Sequence, residues 1–237
     1  MSAGPLALVG GDELRPGNEP QDRILVDAAR GGPAFVVATA AGRQRPELAV
    51  ENARRWFARL GLDVEELPLR TRTQAGSAEI AARARAGRFF YLVGGDPGLV
   101  PKVLADTPAW SAIVEAWRDG AALAGSSAGA MAMGEWTLIR DRMPGDDRRR
   151  FRDALALVRG VAVVPHLETF GERWEISALE GAPRPETILL GIGERTAAVF
   201  VDGSWHVEGP GSVVVITRAG RDAFASGDRI EGIPNPA

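Results

Sequence analysis

The N-terminal half of the chain alternates short apolar segments with segments whose apolar residues recur at helical spacing. Residues 6–9, 34–40 and 88–93 are apolar nearly throughout, as expected of parallel strands that are covered on both faces. Residues 21–30 and 47–60 carry apolar side chains every three to four positions, which predicts amphipathic helices. This order predicts an α/β fold with a doubly wound, mostly parallel sheet and helices on both faces.

The C-terminal part follows a different pattern. Residues 197–201, 205–207 and 212–217 show strand-like alternation and are separated by glycine-rich turns, which predicts an antiparallel hairpin region. Residues 141–152 are rich in Asp and Arg and are interpreted as a solvated loop and helix face rather than a binding patch. The last residues, 231–237, are predicted to form a loose tail.

Length and composition exclude several classes of protein. A chain of 237 residues is long enough for one large domain, and nothing in it marks a second one. The chain has a net charge of -3 and so lacks the excess of basic residues that is typical of nucleic-acid-binding proteins. The absence of cysteine excludes disulfides, Cys-ligated metals and a thiolate nucleophile. We expect a cytoplasmic protein without membrane anchor, metal or cofactor, and leave a homodimer open.

A serine lies between an apolar, strand-like run and the helix-forming run that follows it. The apolar run that begins at Ala121 stops at Gly125, and a helix-forming run restarts at Ala128. The pattern Gly125-x-Ser127-x-Gly129 is typical of a nucleophile elbow, in which a strained strand-to-helix turn exposes the serine hydroxyl near a helix N-terminus. With 29 glycines in the chain, a simple tight turn is the alternative interpretation.

A serine nucleophile needs a base, and the chain has two histidines. His166 directly follows an apolar strand segment and is the better candidate, whereas His206 lies within an alternating hairpin strand. The third member should be a buried acid that fixes the imidazole tautomer. Glu194 is the best candidate because it also follows an apolar strand, whereas Glu168 and Glu172 lie where carboxylates commonly cap helices.

Two glycine pairs each follow a strand and precede an aspartate. In the pair Gly94-Gly95, the absent side chains allow close approach to a carbonyl oxygen, so we expect an oxyanion hole built from Gly95 and the N–H of Ala128. The pair Gly10-Gly11 is interpreted as a strand-end loop, because it lacks the pattern of a phosphate-binding loop.

These motifs occur in a specific order along the chain: Gly94-Gly95-Asp96, Gly125-Ser126-Ser127-Ala128-Gly129-Ala130, His166, and Gly191 to Ala198. The ordered set resembles the serine peptidase family that contains cyanophycinase and aspartyl dipeptidase. That family has the class I glutamine amidotransferase-like fold, which is flavodoxin-like, with serine in place of the usual cysteine. The resemblance implies Ser127 as nucleophile, His166 as general base and Glu194 as orienting acid in cleaving a small peptide or amide through an acyl-enzyme.

The resemblance is weaker for the substrate. Cyanophycinases typically carry Gln after the Gly-Gly-Asp loop and Asp-Gln before the histidine, where this chain has Pro97 and Val164-Pro165. Candidate substrate contacts are Asp96, Arg173 and Arg195. The resemblance points to Arg173 or Arg195 as the basic group with which aspartyl dipeptidases hold a substrate carboxylate. Two alternative functions are a non-catalytic binding module of the same fold and an esterase that uses His206.

Overall fold

The structure is a computed structural model that describes residues 2–29, 31–140, 149–169 and 172–237. Within these residues the strands are β1 (Leu6–Val9), β2 (Ala34–Val37), β3 (Glu65–Glu66), β4 (Phe89–Leu92), β5 (Ala122–Ser126), β6 (Gly134–Arg140), β7 (Arg149–Asp153), β8 (Val158–Pro165), β9 (Ile188–Ile192), β10 (Ala197–Val201), β11 (Ser204–Glu208), β12 (Ser212–Thr217), β13 (Gly220–Ala225) and β14 (Arg229–Ile230).

The helices are α1 (Glu19–Ala29), α2 (Pro46–Arg59), α3 (Arg72–Ala75), α4 (Ala78–Arg85), α5 (Leu99–Leu104), α6 (Pro108–Arg118), α7 (Ala128–Met133) and α8 (Glu172–Glu180), with 3₁₀ turns at Ala40–Arg43 and Leu167–Thr169. No helix in the described part of the chain is both long enough and apolar enough to cross a membrane.

The first sheet contains the predicted parallel strands. Its order is β14-β11-β10-β1-β5-β4-β2-β3, in which the five strands from β1 to β3 run parallel and β10, β11 and β14 join antiparallel. Val9 at the end of β1 lies opposite Ser126 at the end of β5. The chain that leaves β1 therefore passes beside Ser127.

A second sheet of six strands, in the order β13-β12-β9-β8-β6-β7, lies beside the first. Its β8 is parallel to both β6 and β9, and Pro165 at the end of β8 lies opposite Ile192 at the end of β9. Since parallel strands end at the same edge of a sheet, the residues that follow β8 and β9 are delivered side by side.

Three apolar clusters hold these layers together. The largest packs one face of the first sheet, through Leu8 and Leu123, against α5, α6, α7 and the second sheet, through Val163 and Leu190. A second cluster covers the other face of the first sheet with α1 and α2. A third covers the outer face of the second sheet with α8. The predicted α/β fold with helices on both faces is confirmed, and the second sheet adds a layer to it.

The structure differs from the sequence-based expectation in two segments. Residues 149–153 form β7 rather than part of a loop and helix face, because they pair with β6 over five residues; residues 141–148 lie outside the described residues. The tail over 231–237 forms no helix or strand, yet it is hydrogen-bonded to the body of the protein. The Trp205 indole donates to the Pro234 carbonyl at 3.0 Å, and the Ala237 N–H donates to the Leu157 carbonyl at 2.8 Å.

Candidate active site

Ser127 occupies the turn between β5 and α7. Its backbone has φ 48° and ψ -111°, a combination that costs a non-glycine residue about 1–3 kcal/mol. The turn is held on both sides, because the Ser127 N–H donates to the Val9 carbonyl and the Met131 N–H donates to the Ser127 carbonyl, each at 2.9 Å. A Cβ on Gly125 would lie 2.5 Å from the backbone of Gly129, so only glycine allows the helix to approach the strand this closely.

His166 follows β8 and faces the serine. Its Nε2 lies 3.2 Å from the Ser127 Oγ, and its Nδ1 lies 2.9 Å from the Glu194 Oε1. A carboxylate at Nδ1 favours the tautomer that carries the proton there, which leaves Nε2 as an acceptor for the serine hydroxyl. The structure thus brings together all three residues that the sequence singled out for this chemistry.

Glu194 was expected to be buried, and that expectation is wrong. Its side chain is 44% exposed, because the loop after β9 lies at the rim of the sheet. The loop is fixed through its backbone instead, since the Glu194 N–H donates to the Glu168 carboxylate at 3.2 Å. Glu168 therefore positions the segment that carries the acid.

The loop after β1, residues 10–13, forms the centre of the site, and we call it the acceptor loop. The Gly10 carbonyl accepts the N–H of His166 at 2.8 Å, and the Gly11 carbonyl accepts the N–H of Arg195 at 2.9 Å. Gly11 has φ +117°, and a Cβ there would lie 2.2 Å from the imidazole carbon Cε1. The space left by the absent side chain is filled by His166, which the sequence pattern did not indicate.

The loop after β4, residues 94–96, lies on the other side of Ser127, and we call it the donor loop. Its Gly94 N–H donates to Glu13 Oε1 at 2.9 Å, and its Asp96 N–H donates to the Ala40 carbonyl at 2.8 Å. Between them, the Gly95 N–H has no hydrogen-bond partner among the described residues.

Ala128 supplies a second unengaged donor. It is the first residue of α7, and the first N–H groups of a helix have no acceptor within the helix. Over the described residues the Ala128 N–H has no other partner either. The geometry thus leaves the two N–H groups predicted for an oxyanion hole, those of Gly95 and Ala128, unengaged on either side of the serine.

Comparison with known proteins gives the decisive observation. The sequence model that describes peptidase family S51 matches residues 6–207 of this chain. The chain belongs to peptidase family S51. As a member of this family it is a serine-type peptidase.

Relatives of this family-S51 chain include a cyanophycinase from Trichormus variabilis, 29% identical over 217 residues that cover 88% of this chain and 72% of the relative. A cyanophycinase from Geminocystis herdmanii is 26% identical, covering 89% and 79%. The crystal structure of a peptidase from an acI-B1 Actinobacterium superposes with a TM-score of 0.83 at 28% identity, covering 96% of each chain. A candidate peptidase E from Listeria monocytogenes, 20% identical with a TM-score of 0.58 and covering 94% and 99%, shares the fold.

Two of the three candidate substrate contacts of this S51 peptidase, Asp96 and Arg195, have partners within the chain. Asp96 pairs with Arg43 at 3.1 Å and accepts the N–H of Gly98 at 2.9 Å. The Arg195 guanidinium lies 3.5 Å from the Asp12 carboxylate and is half exposed. Arg173 lies within α8, and its side chain is outside the part that the structure describes.

The second histidine of this S51 peptidase lies apart from the serine. His206 belongs to β11, and its Nε2 is 2.8 Å from the hydroxyl of Ser204, two residues away. The Ser127 hydroxyl is hydrogen-bonded to His166 instead. This placement does not favour the esterase alternative that uses His206.

A buried acid on α1 interacts electrostatically with Glu13 of the acceptor loop. Asp22 on α1 is fully buried, and burial raises its pKa to about 7 despite a 2.7 Å hydrogen bond from the Trp56 indole. The negative charges of Glu19 and Glu13 raise the pKa further. Its Oδ1, like the Tyr91 hydroxyl, has no hydrogen-bond partner among the described residues. No sequence motif marks this acid.

The described residues also hold no cluster of three or more His, Cys, Asp or Glu that fits a metal ion.

Proposed function

We propose that this peptidase hydrolyses an amide bond in a small peptide or related amide through an acyl-enzyme on Ser127, with His166 as general base and Glu194 as the acid that orients it. The supporting observation is the unbroken hydrogen-bonded series from Ser127 Oγ to His166 Nε2, at 3.2 Å, and from His166 Nδ1 to Glu194 Oε1, at 2.9 Å. Both distances are within the reach expected of an unliganded site.

In the first half of the reaction, the Ser127 hydroxyl oxygen attacks the substrate carbonyl carbon while its proton passes to His166 Nε2. The Glu194 carboxylate stabilises the imidazolium that results. The C–N bond then breaks, and the leaving nitrogen takes the proton from Nε2. This step gives the acyl-enzyme and releases the amine product.

In the second half, a water molecule loses a proton to His166 Nε2 and attacks the acyl carbon. The bond to Ser127 breaks, and the proton returns to the serine oxygen. In both halves, negative charge develops on the former carbonyl oxygen. The unengaged N–H groups of Gly95 and Ala128 are suited to bind this oxyanion, each contributing about 3 kcal/mol to transition-state stabilisation.

The strained turn at Ser127 fits the nucleophile-elbow interpretation, because it holds the hydroxyl beside the start of α7. A non-catalytic binding module would not need this strain, nor a serine within hydrogen-bond reach of an imidazole. Both features support catalysis at Ser127 rather than the use of this site for binding alone.

For the substrate, we propose a small peptide or an N-acyl amino acid rather than cyanophycin. Pro97 and Val164-Pro165 replace the Gln and Asp-Gln that are typical of cyanophycinases. The Arg195 guanidinium is half exposed, and among the described residues its one ion pair is the 3.5 Å contact with Asp12. It is therefore the candidate to meet a substrate carboxylate.

The test compares Ser127→Ala with Ser204→Ala, because Ser204 is the matched serine that is hydrogen-bonded to the other histidine. We expect Ser127→Ala to lose fluorophosphonate labelling and at least about 10³-fold in turnover of a dipeptide and N-acyl amino acid panel. Ser204→Ala should keep both. Unchanged turnover in Ser127→Ala would overturn the proposal, and loss in Ser204→Ala alone would favour the esterase alternative.

A further inference from the structure

Glu13 is the one side chain of the acceptor loop that reaches the donor loop. Its Oε1 accepts the Gly94 N–H at 2.9 Å in a partly buried position. A Cβ on Gly94 would lie 3.0 Å from this oxygen and 3.4 Å from the Ser127 Cβ. The hydrogen bond is therefore made beside the serine, one residue before the unengaged N–H of Gly95.

The donor loop is anchored on both sides of that N–H group. Glu13 holds the N–H of Gly94, and the Ala40 carbonyl holds the N–H of Asp96. Two consecutive glycines have wide backbone freedom. With one anchor removed, the peptide unit that carries the Gly95 N–H can rotate away from the direction it now has.

Ion pairing does not account for this carboxylate. Across the described residues, none of the ion pairs includes Glu13. Its negative charge makes only the smallest of the contributions that raise the pKa of buried Asp22, after burial and Glu19. A carboxylate near a developing oxyanion opposes the reaction electrostatically, so a favourable role of Glu13 must come from the hydrogen bond that it accepts rather than from its charge.

We propose that Glu13 is a positioning residue, which orients the donor loop so that the Gly95 N–H meets the oxyanion formed on Ser127. This inference rests on the proposed function. It makes the accepted hydrogen bond, rather than the negative charge, the essential property of Glu13.

Three variants separate the hydrogen bond from the charge. Glu13→Gln keeps an acceptor oxygen at the same reach and removes the charge. Glu13→Ala removes the acceptor, and Glu13→Asp withdraws it by one methylene. We expect kcat of Glu13→Gln to stay within about 3-fold of wild type, and kcat of the other two to fall about 10- to 100-fold with KM nearly unchanged.

A second readout reports on the oxyanion itself. A peptide aldehyde forms a tetrahedral adduct with the serine, so its inhibition constant should weaken in Glu13→Ala and Glu13→Asp by about the same factor as kcat. Glu135→Ala is the matched control, because Glu135 also accepts a glycine N–H, that of Gly160 at 2.7 Å. It should leave both readouts unchanged.

The outcomes distinguish the two proposals. If Ser127→Ala retains turnover, the proposed function fails and this inference fails with it. If turnover depends on Ser127 but Glu13→Asp and Glu13→Ala match wild type, only the role of Glu13 is overturned. A loss in Glu13→Gln as large as that in Glu13→Ala would also overturn it, because charge would then be the essential property. Should Glu13→Ala not fold, the comparison of Glu13→Asp with Glu13→Gln gives the same decision.

Discussion

The acceptor loop and the donor loop begin with the same tripeptide, Gly-Gly-Asp, and each follows a buried parallel strand of the first sheet, the acceptor loop directly and the donor loop after Val93. The two loops nevertheless have opposite hydrogen-bonding roles. The carbonyls of Gly10 and Gly11 receive N–H groups from the chain around His166 and Arg195, while Gly95 in the donor loop keeps its own N–H unengaged among the described residues. The glycines also make room for different neighbours: Gly11 for an imidazole ring, and Gly95 for the Ala40 carbonyl.

The difference comes from the position of each strand in the sheet. The strand before the acceptor loop, β1, lies between β5 and β10, so its end meets the loops that carry His166 and Glu194. The strand before the donor loop, β4, lies between β5 and β2, so its end meets Ser127 and the 3₁₀ turn at Ala40–Arg43. A local motif thus determines that a loop is tight, while the neighbouring strands determine its role.

The strongest test of this contrast is Gly11→Ala. The new Cβ would lie 2.2 Å from the imidazole, which must move away from Ser127. We expect kcat to fall about 10⁴-fold, or about 5.5 kcal/mol, as when a member of a catalytic triad is displaced. Gly203→Ala is the control, because Gly203 also has positive φ but has no atom within 4 Å of the added Cβ. Wild-type kcat in Gly11→Ala would contradict the packing of His166 on this loop.

The next test uses the acid on the helix that follows the acceptor loop. The pKa of Asp22 is about 7 in the folded protein, whereas an aspartate side chain in water, as in the unfolded chain, has its ordinary pKa of 3.8. Between these values the unfolded chain loses the proton while the folded protein keeps it, so wild-type stability falls as pH rises from about 4 to about 7. Asp22→Asn lacks this loss, and its stability relative to wild type should rise by up to about 4 kcal/mol over that interval.

Urea unfolding at several pH values between 4 and 8 measures this difference. Asp27→Asn on the same helix is the control, because Asp27 is exposed. A difference between Asp22→Asn and wild type that does not change with pH would show that Asp22 titrates alike in the folded and unfolded states.

The smallest of the three effects is expected in the donor loop. A Cβ on Gly95 would lie 2.3 Å from the Ala40 carbonyl oxygen, and the residue has φ +146°. Gly95→Ala should therefore displace the N–H that we propose as an oxyanion donor and lower kcat about 10²-fold, or about 3 kcal/mol, with little change in KM. Steady-state kinetics measures both constants, with Gly61→Ala, at an open position of positive φ, as control. An increase in KM alone would instead place Gly95 in substrate binding.

The sequence was sufficient to predict the strand-helix alternation and the three residues that meet at the site. Ser127, His166 and Glu194 are polar residues of suitable chemistry directly after apolar runs, and the ends of parallel strands converge. The ring contact of Gly11 could not be predicted in this way. It joins two residues that lie far apart in the sequence, and nothing near Gly11 indicates an aromatic neighbour.

Two other features could not be predicted from the sequence, for physical reasons. The strand β7 is formed largely by charged residues with little apolar alternation, so its pairing with β6 overrides a pattern that indicates a solvated surface. The exposure of Glu194 depends on where its loop meets the rim of the sheet, and an apolar run before the loop does not specify this depth.

The division of the proposed catalytic groups between two sheets has a consequence for the cell that makes this peptidase. The serine hydroxyl precedes its imidazole by 39 residues, and the imidazole precedes the carboxylate by another 28. During translation the serine is therefore synthesised before the histidine and the glutamate that we propose activate it. In the proposed mechanism an unfinished copy therefore carries an inert alcohol, and the ability to cut amide bonds is acquired only after the last loops have docked.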